Sequence, residues 1–143
     1  MTTPTRPTGL TADAGWQMGV RRTVPADLTD TWHYLVGEGL PVWLGDTTTL
    51  PTERHAAYST ADGVTGEVRG YTEYRRIRLT WRPRDLDHDT TLQITLIPAA
   101  TGTTVAFHQE RLRDAAEREA MLAHWREVAG RIDRALRPSR SGG

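Results

Sequence analysis

The chain has 143 residues and balances 18 basic against 18 acidic side chains, so its formal net charge is zero. That length suits one domain able to bury about 68–70% of its unfolded surface, and the lack of a basic excess argues against a nucleic-acid partner. Cysteine and lysine are both absent and every basic side chain is arginine, which removes disulfides, thiol nucleophiles, cysteine-held metals and the Schiff-base lysine of pyridoxal-phosphate chemistry.

Residues 1–15 are rich in Thr, Pro and Ala and contain no apolar run. They fit neither a signal peptide nor a membrane span. A disordered arm, on a cytoplasmic protein without membrane association, is expected there. Trp16, Met18 and Val20 then alternate with Gln17, Gly19 and Arg21, the period of a half-buried strand. After Pro25, Leu28, Trp32, Leu35 and Val36 fall at helical spacing until Gly37 and Gly39 stop the run. Residues 40–45 predict a second short helical turn, anchored by Trp43.

Residues 47–61 predict one or two short strands around Tyr58. Gly63, Gly66 and Gly70 punctuate a strand over 65–71; without the Lys-Ser/Thr pair of a phosphate loop they read as structural. Ile77, Leu79 and Trp81 form the apolar face of the next strand, with Arg76, Arg78 and Thr80 on the other. The two arginines make a basic row on the outer face, solvated or touching a protein partner. Asp85, Asp87 and Asp89 resemble the start of a calcium loop, but Thr90 replaces the required Gly and Leu96 the bidentate Glu. A solvated loop is expected instead. Leu92, Ile94 and Leu96, then Val105, Phe107 and Gln109, mark two further strands joined by a turn over 98–102.

The last element carries the strongest pattern. Asp114 with Glu117 reads as a helix cap, and Met121, Trp125, Val128, Ile132 and Leu136 recur every three or four residues. Such a stripe must lie on the sheet. Residues 138–143 read as a disordered tail, which leaves 16–137 as the domain.

In the segments VPADLTDTW, PVWLGD, RIRLTWRP, TTLQITLIPAATGTTVAFHQERL and HWREVAGRIDRAL, taken in order, the chain resembles the START-like (helix-grip, SRPBCC) superfamily, and within it the bacterial branch related to the activator of the heat-shock-protein-90 ATPase. The resemblance implies an α+β fold: a curved antiparallel sheet of about six strands wrapped on a long C-terminal helix, with two short helices after the first strand. It also implies a cavity between sheet and helix. Many members bind hydrophobic ligands, some are aromatases or cyclases of aromatic polyketides, and no catalytic motif is common to all.

The sheet face meant to meet the helix holds Gln109 as its only polar residue. Acid–base pairs, which proton transfer needs, are missing from it. Binding of a small apolar or aromatic molecule is therefore the preferred function, with no metal or other cofactor and no catalytic residue assigned. Trp43, Tyr58, Trp81, Phe107, Gln109, Met121 and Trp125 are the candidate pocket walls, and Gln109 would orient a polar group of the ligand. An empty cavity of about 300 Å³ would cost on the order of 7 kcal/mol, so the cavity must be small, wet or filled. Two alternatives stand beside this reading: a polyketide cyclase or aromatase, in which His55 near Glu53 and Arg54 could supply a base, and a chaperone-associated interaction protein. A homodimer or another protein partner is compatible with either. His33 and His108 are expected on the surface and His124 at the helix edge.

Overall fold

The computed structural model describes residues 10–11 and 15–138. Strands β1 (Leu10–Thr11) and β2 (Gly15–Val24) are followed by helices α1 (Leu28–Leu35) and α2 (Leu40–Trp43). Five strands come next: β3 (Ala57–Ser59), β4 (Thr65–Thr72), β5 (Arg76–Trp81), β6 (Thr90–Ala99) and β7 (Gly102–Leu112). The chain closes on the 22-residue helix α3 (Ala115–Leu136). All strand pairs are antiparallel, in the order β1-β2-β7-β6-β5-β4-β3.

The expected sheet of about six strands becomes seven through β1, which lies inside the presumed arm. Leu10 pairs with Trp16 and Thr11 with Gly15, and Gly15 takes φ +65°, a turn conformation open to glycine. Those two residues are therefore hydrogen-bonded strand rather than free arm. Gly15, the last residue of the presumed arm, likewise opens β2, whereas residues 1–9 and 12–14 and the tail beyond residue 138 lie outside the described residues.

Local chemistry accounts for the helix boundaries. The Asp27 carboxylate caps α1 by accepting from the Asp30 amide at 2.8 Å, and the Asp114 carboxylate caps α3 from the Glu117 amide at 2.8 Å. Two indoles lock the short helices down. Trp43 Nε1 donates to the Leu35 carbonyl at the end of α1 (2.8 Å), and Trp81 Nε1 donates to the Leu44 carbonyl just past α2 (2.9 Å). At the β6–β7 turn Gly102 (φ +153°) is required, because a Cβ there would stand 1.9 Å from the Val24 carbonyl oxygen.

The core lies between the sheet and α3. Ile77, Leu79, Leu92, Ile94, Val105 and Phe107 are buried from the sheet side. From α3 come Leu122, Trp125, Val128, Ala129 and Ile132. The helix is rotated slightly from the expected stripe: Leu122 is buried while Met121 and Leu136 are only half-buried. The stripe also carries a charge. Asp133 is 2% exposed and pairs with Arg22 of β2 at 2.7 Å and with Arg137 at 3.1 Å.

Candidate functional site

Beneath the first half of α3 the space is filled by side chains. The Phe107 and Trp125 rings stack with centroids 5.0 Å apart, and Trp81 leans on Trp125 at 5.1 Å. Gln109, fully buried, is held at both ends of its amide. Its oxygen accepts from Trp125 Nε1 at 2.8 Å, and its nitrogen donates to Thr90 Oγ1 at 3.0 Å. The Thr90 hydroxyl in turn donates to the Trp81 carbonyl. The amide expected to orient a ligand is thus committed to protein partners.

The accessible space opens beside this cluster. A cleft of about 250 Å³ runs between α2, the end of β5 and the outer edge of α3. Trp43, Trp81 and Met121 line it, as does His124. Phe107, Gln109 and Trp125 lie behind that wall without forming it. Tyr58 is elsewhere, on β3, where its hydroxyl donates to the Thr80 carbonyl at 2.6 Å. Burial, and secondarily the Asp89 charge, pushes the Tyr58 phenol far above its ordinary value, so it has no acid–base role near neutral pH.

His124 is the cleft residue that spacing alone undervalues. It sits three positions after Met121, so both face the same edge of α3. Its ring lies 4.8 Å from Trp125, edge-on, and 5.7 Å from Trp81. The desolvation these rings impose lowers the imidazole pKa below the usual 6.5; Asp85 opposes that shift and Arg131 adds to it. Asp62, Asp85 and Arg131 stand on the cleft's rim, bringing ionisable groups that the sheet face lacks.

The other four histidines are engaged elsewhere. His33 lies 3.1 Å from the Tyr74 hydroxyl, His55 3.0 Å from Glu67, His88 2.7 Å from Glu117 and His108 2.7 Å from Gln17. His55 is therefore remote from the cleft and paired with Glu67, not with Glu53 or Arg54. Asp87 of the acidic loop pairs with Arg113 at 3.0 Å. Among the described residues no three His, Asp or Glu side chains are grouped to hold a metal ion, and no helix is long and apolar enough to cross a membrane.

A curved antiparallel sheet whose β2 and β7 lie side by side under a long C-terminal helix, with two short helices inserted after β2, defines the helix-grip, START-like class. Within that class, the family described as Activator of Hsp90 ATPase homolog 1-like protein matches residues 23–137, and the chain belongs to it. None of the curated proteins matches in sequence.

Solved structures share the fold. DynU16, a protein of the dynemicin biosynthetic locus, superposes with TM-score 0.74 at 21% identity over 84% of this chain; the chain spans only 46% of DynU16. CalU16 from Micromonospora echinospora gives 0.70 at 15% identity, over 91% of this chain and 82% of that one. CV1439 from Chromobacterium violaceum gives 0.69 at 21%, over 86% and 98%.

Proposed function

We propose that the protein binds a small apolar or aromatic molecule in the cleft between α2, β5 and α3. The observation that carries this reading is the convergence of Trp43, Trp81 and Met121 on one space of about 250 Å³. Ligand pockets usually measure about 300–1,000 Å³, so the occupant is one or two fused rings rather than an extended chain. The helix-grip fold, in a superfamily many of whose members bind hydrophobic ligands, supports the same reading. A thermal-shift series with naphthalene-class probes tests it. The melting temperature should rise with the probe, and M121E, which places a charge on the half-buried wall, should abolish the rise. No shift with any apolar probe would overturn the reading.

A second reading has its own support. His124, held neutral near pH 7 and lining the same cleft as Asp85, could move a proton on a bound polyketide-like ligand. The placement of DynU16 in a biosynthetic locus points the same way. Chemical conversion of a bound polyketide model compound, lost in H124Q while binding persists, would establish this reading. Chaperone contact is suggested by the family description alone; among the described residues Ile97 is the only large exposed hydrophobic side chain.

A further inference from the structure

A larger concavity lies on the opposite face of the sheet, away from α3. Its volume is about 620 Å³, and among the described residues Arg54, Arg69, Arg78 and Arg111 line it, with Asp89 as the one carboxylate. The chain as a whole is neutral, so this is a local concentration of positive charge. Its floor follows from register. Thr80 pairs with Thr91, and Thr91 with Glu110, which sets these outward positions in one row across β5, β6 and β7.

Three of the four arginines sit at or beside breaks in regular backbone. Val68 pairs with Leu79 but Gly70 with Arg78, so Arg69 is an extra residue in β4. Met18 pairs with Gln109 but Trp16 with Leu112, so Glu110 and Arg111 together face Gln17; Arg111 there takes φ +65°. Arg54 precedes His55, at φ +72°. Bulges and left-handed residues re-aim side chains at a cost in backbone strain, and they concentrate at functional sites.

The charges are only partly spent. Arg78 reaches Glu110 at 3.3 Å and Gln93 at 3.2 Å, and Arg69 reaches Glu67 at 3.8 Å. Asp89 lies 4.0 Å from Arg82. Arg54 and Arg111 have no hydrogen-bond or ion-pair partner for their side chains among the described residues. Thr80 Oγ1 accepts from the Glu67 amide at 2.8 Å, which leaves its own proton free to donate.

We infer that this concavity binds a small organic phosphate with a hydroxylated body, of the sugar-phosphate class. Guanidinium forks match phosphate oxygens bidentately, and unpaired arginines without lysine suit that recognition. The space exceeds what one inorganic ion fills. Asp89 can accept from, and Thr80 can donate to, hydroxyl groups of the body. Among the described residues no aromatic side chain lines the space to stack a nucleobase.

The test is calorimetric titration at fixed ionic strength with glucose 6-phosphate, inorganic phosphate and glucose. Glucose 6-phosphate should bind saturably, more tightly than phosphate, and glucose not at all. R54Q and R111Q should each weaken it about tenfold with far-ultraviolet circular dichroism unchanged. The Arg Nε–Hε signals of the wild type should shift on titration. Absence of saturable binding by either phosphate below roughly 10 mM, or binding unaffected in both variants, would overturn the site. Equal affinity for inorganic phosphate would overturn the organic body. M121E should leave this binding intact, which separates it from the cleft on the other face.

Discussion

The indole N–H of Trp125 on α3 donates to the side-chain oxygen of Gln109 on β7 at 2.8 Å, in the most deeply buried part of the molecule. With the Arg22–Asp133 pair further along α3, this contact ties the long helix to the sheet at a fixed rotation. Q109L keeps the volume but strands the indole N–H and removes the donor to Thr90. It should cost about 1–3 kcal/mol, read by urea denaturation. In a double-mutant cycle, Q109L with W125F should show coupling of about 1 kcal/mol. Additivity would mean the bond contributes nothing.

That contact also marks where the sequence was legible. Strand periodicity put Gln109 on the inner face with Phe107 and Val105, and helical spacing laid the Trp125 stripe on that sheet; the helix-grip arrangement itself came from the family resemblance. Spacing could not say that the two side chains would satisfy each other. A buried amide reads identically whether its partner is a ligand or a neighbouring indole. The rotation of α3 was hidden for a related reason: Met121 and Leu122 are both apolar, and packing against β2 and β7 chooses between them. Asp133 was missed because a lone acid within an apolar stripe looks like its polar flank until Arg22 is brought beside it from 111 residues away. The bulges at Arg69 and Arg111 have no signal in a strand of polar outward residues.

Asp133 gives a pH prediction with a definite sign. Burial pushes its carboxyl up, but hydrogen bonds from Arg22 and Arg137 outweigh this and hold the pKa below the usual carboxylate value. A depressed carboxylate contributes stability above about pH 4, and that stability is lost as pH falls through its own lower pKa. Unfolding free energy should therefore drop on acidification below pH 4, and D133N should flatten that drop. At pH 7, D133N should cost about 2–3 kcal/mol, less than for a fully buried pair because Arg22 is 46% exposed. An unchanged acid limb would show that other carboxylates govern it.

His124 predicts a pH dependence for the cleft. Desolvation by Trp81 and Trp125 leaves it neutral at pH 7, with Asp85 and Arg131 as the charges that bear on its titration and Asp62 on the same rim. Affinity for an apolar probe should be constant above pH 6.5 and fall several-fold as pH drops through the lowered pKa, because protonation places a cation on an apolar wall. H124F should remove the dependence while retaining binding. The measurement is probe titration from pH 5 to 8, and a flat wild-type profile would dissociate His124 from the cleft.

Arg111 offers the sharpest separation of stability from function. A non-glycine residue at φ +65° is strained, at a cost on the order of 1 kcal/mol or more. Glycine at the same place removes that strain, offset in part by its greater freedom in the unfolded chain. R111G should therefore be neutral or stabilising by about 1 kcal/mol, with a melting temperature at or above that of the wild type. R111G should also lose the phosphate affinity that R111Q loses, since both remove the guanidinium. If R111G instead destabilises, the arginine side chain holds the bulge together and the strain needs no functional explanation. A stable R111G that no longer binds would mean that the bulge is built to aim this charge outward from β7.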